Sequence, residues 1–204
     1  MKFVLFHGAF GSPEGNWFPE LKDKLESLGQ DVIVPNFPVE SWDKITKNGP
    51  TVPPKHQSLM NWFKAFEPIV ETFYKEDKLC FIGHSLGPVF ILHAVERFNI
   101  QLDSAIFVCP FLEKLNRSWQ IDLVNKTFYK TDFNFDSLKQ RIPRSTVLYG
   151  NNDPYVNEKY SIEFANKMGS TLIKIQNGGH LNSEFGYVSF PLIVDLCKKF
   201  INHT

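Results

Sequence analysis

The chain has 204 residues, with 43% hydrophobic and 22% charged residues, and 22 basic side chains balance 22 acidic ones. That length matches one domain, by the guide of roughly 100–200 residues each, and a core that buries roughly 70% of the unfolded surface needs no staples. Zero net charge excludes the basic footprint of a nucleic-acid binder, and the short, interrupted apolar runs exclude a membrane-spanning helix.

The N-terminal run Lys2–His7 is apolar and closes on Gly8. It reads as a first strand, because the glycine arrives too soon for a signal peptide. The small-residue loop Gly8-Ala9-Phe10-Gly11-Ser12 follows. Trp17, Phe18, Leu21, Leu25 and Leu28 then recur at three and four, which predicts a helix ending at Gly29. Asp31–Pro35 predicts a second strand. Pro35–Pro54, rich in proline and carrying Trp42, reads as an ordered loop. Leu59, Trp62, Phe63, Phe66, Ile69, Val70 and Phe73 predict a long helix whose aromatic stripe belongs to the core. Leu79–Gly83, Ala105–Pro110, Ser145–Gly150 and Thr171–Gln176 predict four more strands, each rich in Val, Ile, Phe or Leu and stopped by Gly, Pro or Asn. Leu86–Phe98, Val156–Met168 and Phe190–Ile201 predict three more helices. Strand–helix alternation of this kind implies right-handed crossovers and a parallel sheet covered on both faces. The segment Phe111–Ile142 exceeds an ordinary connection, and its aromatics Trp119, Phe128, Tyr129, Phe133 and Phe135 suggest a small ordered cap.

Gly83-His84-Ser85-Leu86-Gly87 sits between a predicted strand and a predicted helix. Gly-x-Ser-x-Gly in that context is a sharp turn that lifts the serine hydroxyl clear of the sheet, and the following helix aims its positive end at the site. Pro88, early in that helix, has no helical partner to lose. A serine hydroxyl needs a base and an orienter for that base. Of the downstream histidines, His93 lies on the helix after the serine, as a packed or solvated helical residue, and His203 at the chain end. His180 follows a strand in Asn177-Gly178-Gly179-His180, where a base can reach across the strand ends. Asp153 follows the preceding strand in Gly150-Asn151-Asn152-Asp153-Pro154. Each turn alone has an ordinary structural reading; their order and placement point to Ser85, Asp153 and His180 as a triad.

With strand order 2-1-3-4-5-6, ligands bind beyond the C-termini of strands one and three. Oxyanion donors are then the Leu86 amide and the Ala9 amide, with Phe10 as the alternative. His7 is assigned a structural role that shapes the first loop. Phe10, Trp119 and Tyr155 are expected to contact substrate. The first loop lacks phosphate-binding and dinucleotide fingerprints, and no His or Cys pair has metal-ligand spacing, so no metal and no cofactor are expected. Cys80, Cys109 and Cys197 read as buried thiols of a reducing, cytoplasmic compartment, which makes the sequons at Asn116 and Asn125 chance matches.

These motifs carry a resemblance. The His7-Gly8 loop with Asn16-Trp17-Phe18-Pro19, the Asn36-Phe37-Pro38 segment, the serine turn, Asp153-Pro154, Gly178-Gly179-His180 with Glu184, and Phe190-Pro191-Leu192-Ile193 resemble the YdeN-like small serine hydrolases, a group that includes retinoblastoma-binding protein 9. The resemblance implies a minimal α/β-hydrolase fold, a Ser85–His180–Asp153 triad and a hydrolase usually tested as a carboxylesterase. The Leu-x-Cys-x-Glu motif associated with retinoblastoma binding is absent, so that interaction is not carried over. The expected protein is a monomer or weak homodimer that cleaves small carboxylic esters through an acyl-enzyme, with amides and thioesters as further substrates. The alternatives are a non-catalytic binding module on the same fold and an acyltransferase.

Overall fold

A computed structural model describes residues 1–202, so His203 lies outside the described residues. Six strands form one all-parallel sheet: β1 (Lys2–Phe6), β2 (Asp31–Ile33), β3 (Leu79–His84), β4 (Ser104–Val108), β5 (Ser145–Gly150) and β6 (Thr171–Ile175). Their spatial order is β2-β1-β3-β4-β5-β6, the order expected above. The helices are α1 (Phe18–Ser27), α2 (Trp42–Asn48), α3 (Leu59–Val70), α4 (Gly87–Phe98), α5 (Trp119–Asn125), α6 (Phe135–Arg141), α7 (Glu158–Met168) and α8 (Pro191–Asn202).

The period-two alternation of a strand divides the core into two layers. Phe3, Leu5, Cys80, Ile82, Ile106, Val108 and Leu148 meet Trp17, Phe18 and Leu21 beside α1 and Ile193 and Cys197 of α8. Val4, Phe6, Phe81, Ala105, Phe107 and Val147 face the other way and meet α3, α4, α6 and α7. The abundance of phenylalanine is spent largely on this second layer. There Phe37 stacks on Trp62 at 4.4 Å between centroids, and Phe6 lies 5.0 Å from Phe81. Offset and edge contacts of this kind add roughly 0.5–1.5 kcal/mol each beyond the area they bury.

The structure corrects three expectations. The segment 35–54 is not all loop, because α2 forms within it, starting at Trp42 and closing on Gly49 at φ 82°. The strands are not uniformly buried. At the sheet edges, β2 and β6 present exposed residues, since an edge strand is covered on fewer sides. The 111–142 excursion is less separate than a cap would be: Phe111, Leu115, Phe128, Phe133, Leu138 and Ile142 join the main core, and α5 pairs with α2. Among the described residues no helix is long and apolar enough to cross a membrane.

Candidate active site

Four turns leave the C-terminal ends of β1, β3, β5 and β6 and converge on one cavity. The first strained position is Ser85, at φ 59°, with its amide donating to Val108 O at 2.8 Å. The glycines around it permit this. A Cβ on Gly87 would stand 2.4 Å from the Phe6 carbonyl oxygen, and one on Gly8 would stand 2.9 Å from Ser85 Cβ. Among the described residues eight non-glycine residues have positive φ, and four of them are asparagines, which tolerate it. The other four, Phe10, Ser85, Cys109 and Leu181, all surround this cavity or flank its residues. Backbone strain of this kind, roughly 1–3 kcal/mol per residue, persists where the surroundings hold a site in one arrangement.

Ser85 and His180 line a cavity of about 350 Å³, together with Ala9, Phe10, Tyr155 and Val156 from the strand ends. A second cavity of about 170 Å³ shares Ser85 and His180 and extends toward Asn16 and His84. His180 is buried, and its Nδ1 lies 2.6 Å from Asp153 Oδ2. A carboxylate accepts only, so Nδ1–H is the donor in this contact. Asp153 is held in turn by the amides of Tyr155 and Val156, which donate to Oδ1 at 2.8 and 3.0 Å. No hydrogen bond joins the Ser85 hydroxyl to His180 among the described residues; such contacts are commonly long until substrate binds. Likewise, among the described residues, the amides of Ala9 and Leu86 donate to no protein acceptor. Ala9 lines both cavities, whereas Leu86 sends its side chain into the core.

The His180 loop is fastened along its length by side chains that sequence reasoning did not assign. Asn151 Oδ1 accepts from Asn177 N and Asn152 Oδ1 from Gly179 N, both at 2.8 Å. The His84 Nε2–H donates to the His180 carbonyl at 2.9 Å, and the Cys109 thiol donates to the same oxygen at 3.5 Å. Trp17 Nε1–H donates to Leu181 O at 3.0 Å, and Asn16 Oδ1 accepts from Ser183 N. Burial, then the neighbouring His180, pushes the His84 imidazole down to about 3, so it stays a neutral donor. The Asn-Asn before Asp153 is the one sequence signal that could have pointed to this fastening.

Other sequence assignments sort clearly. His7 is fully buried, its pKa lowered by that burial; its Nδ1 pairs with Gly8 O at 2.9 Å and its Nε2 accepts from Phe37 N at 3.2 Å. That is the loop-shaping role expected. His93 is half-buried and bonds Phe128 O. Phe10 and Tyr155 line the cavity, but Trp119 does not. The α5 helix shows why: Ile121 and Asn125, four apart, face Ser85, and Trp119, Asp122, Leu123 and Lys126 fall on the opposite side, lining a separate depression of about 500 Å³. The cavity also recruits Trp42 from α2, Leu115, Asn182 and Glu184. Asn125 is buried and accepts from Gln57 Nε2 at 3.2 Å, so its sequon is not a glycan acceptor in this fold.

All three cysteines are free and buried, and burial pushes the Cys80 thiol up to about 12 and those of Cys109 and Cys197 well above the ordinary value. The ligand atoms of His84, Cys109 and His180 lie within 4.8 Å of one another, the one grouping among the described residues with metal-binding dimensions. These donors already serve His180 O and Asp153, and a protonated thiol is a poor ligand.

Residues 3–199 match the profile of the family described as Serine hydrolase. The chain belongs to that family. It is 24% identical over 200 residues to the Bacillus subtilis (strain 168) protein YdeN, covering 97% of this chain and 95% of the relative. The crystal structure of the B. subtilis ydeN gene product superposes with a TM-score of 0.82, at 22% identity and 98% coverage of both chains. The monoacylglycerol lipase of Paleococcus ferrophilus superposes at 0.68, with 14% identity over 100% of this chain and 95% of that one. These superpositions establish the α/β-hydrolase fold, and family membership makes the protein a hydrolase.

Proposed function

We propose that the protein hydrolyses small carboxylic esters through an acyl-enzyme on Ser85. The observation that carries this reading is the pairing of a strained serine at φ 59° with a buried histidine on the same cavity, whose other ring nitrogen is 2.6 Å from a buried aspartate. In the proposed reaction the Ser85 hydroxyl attacks the ester carbonyl as its proton passes to His180 Nε2. Asp153 fixes the imidazole tautomer and stabilises the imidazolium that forms. The oxyanion takes up hydrogen bonds from the amides of Ala9 and Leu86, supported by the N-terminus of α4. Two amides beside the serine that lack a protein acceptor among the described residues, Leu86 buried and Ala9 half-buried at the cavity wall, suit such a site. His180 then returns its proton to the leaving alcohol, and water, activated by the same imidazole, releases the acid. Leu115, Ile121 and Val156 give the larger cavity an apolar wall, which suits a short aliphatic or aromatic group on one half of the ester.

Ser85→Ala is the test. It removes the nucleophile and preserves the packing, so kcat on a nitrophenyl ester should fall by about 10³-fold or more while the cooperative melt is kept. Activity near wild type in a clean preparation of that variant would refute the assignment.

A further inference from the structure

The larger cavity has a distinctive electrical character. Apart from His180, its ionisable walls are Tyr155 and Glu184. Burial, then the bond to Glu184, pushes the Tyr155 phenol up to about 12, so it remains a neutral donor. Its hydroxyl donates to Glu184 Oε2 at 2.8 Å, and its ring stands edge-on to the His180 imidazole, 5.1 Å between centroids at 79°. The carboxylate is thereby tethered beside the reacting centre. Two more rings complete the mouth: Phe10, held at φ 57°, and Trp42, 43% exposed, meet edge to face at 5.3 Å. The nearby cations Lys114, Arg117 and Lys126 line the depression on the far side of α5 and do not line this cavity.

A carboxylate in a cavity that three aromatic rings also line disfavours an anion and attracts a cation through its charge, and aromatic rings add to that attraction where a cation lies over a ring face. We propose that the substrate carries a cationic nitrogen, held by Glu184 among Phe10, Trp42 and Tyr155 while Ser85 attacks a carbonyl a few bonds away. This rests on the ester-hydrolase reading above and narrows its substrate class.

Choline butanoate and 3,3-dimethylbutyl butanoate have the same shape and differ by one positive charge. Calorimetry on Ser85→Ala compares their binding without turnover, and kcat/KM on the otherwise native protein compares their hydrolysis, with a succinate monoester as the anionic control. The choline ester should be favoured over its neutral isostere by about five- to tenfold, and the succinate ester should be the poorest. In Glu184→Gln, whose amide oxygen still accepts from Tyr155, the preference should collapse toward one whatever the absolute rates. Equal binding of the isosteric pair, or a preference unchanged in Glu184→Gln, overturns the proposal. Should neither ester be hydrolysed, the ester-hydrolase reading fails, while binding to Ser85→Ala still decides the cation subsite on its own.

Discussion

Replacing His84 with Phe tests whether His180, the proposed base, is held from behind. The ring is buried, lies tilted at 59° to His180 with centroids 4.8 Å apart and edge-on to Trp17 at 6.2 Å, and donates to the His180 carbonyl at 2.9 Å. Phe preserves the packing and removes the donor, leaving that oxygen with only the Cys109 thiol at 3.5 Å. A buried acceptor deprived of its main partner costs about 1–3 kcal/mol at neutral pH. The histidine also carries a pH signature. Burial, then the neighbouring His180, pushes its pKa from the ordinary 6.5 down to about 3, so below pH 6.5 the unfolded chain binds a proton that the native chain refuses. Stability present above 6.5 is therefore lost as pH falls toward 3, by about 3 kcal/mol at pH 4 from this group alone. Urea unfolding of both proteins from pH 7 to pH 4 reads this directly. The wild type should be the more stable at pH 7, and the difference should vanish or reverse by pH 4. Because a base misplaced by about an ångström can lose 10²-fold in rate, kcat should fall by about ten- to a hundredfold with KM less affected. Equal stability at every pH, together with unchanged kcat, would refute the anchoring argument.

Asp153→Asn should keep the fold, since the amide oxygen can still accept from the Tyr155 and Val156 amides. Steady-state kinetics should show kcat lowered by about 10³–10⁴-fold, because an amide cannot stabilise the imidazolium or impose its tautomer. Gly87→Ala drives a Cβ to 2.4 Å from the Phe6 carbonyl oxygen, a backbone atom that cannot swing aside. Thermal melts should show a loss of about 1–3 kcal/mol or more, whereas a melt matching wild type would contradict the packing described for the serine turn.

Much of this arrangement was legible from residue order because it depends on local signals. Apolar runs closed by Gly, Pro or Asn marked the strands, and Gly-x-Ser-x-Gly after one of them marked the turn. Asp153 and His180 could be singled out because each directly follows a strand, a position that projects side chains to one end of the sheet. The α2 helix was hidden by the prolines on either side of it, which read as loop although only Gly49 ends the helix. Trp119 misled because its ring suggested a cavity wall, when the phase of a two-turn helix turns it outward and brings Ile121 and Asn125 inward. The fastening of the His180 loop lay beyond sequence reasoning for a different reason: Trp17, His84 and Asn152 reach it across separations of 27 to 164 residues. No local pattern announces such contacts.

The most direct measurement is reaction with a fluorophosphonate followed by peptide mass spectrometry. A phosphonyl adduct at Ser85 should form rapidly and stoichiometrically, and its rate should fall steeply in His180→Ala, whose serine lacks the base. A folded wild-type protein that forms no adduct, or one that labels equally fast without His180, would contradict the nucleophile–base pair on which the account is built.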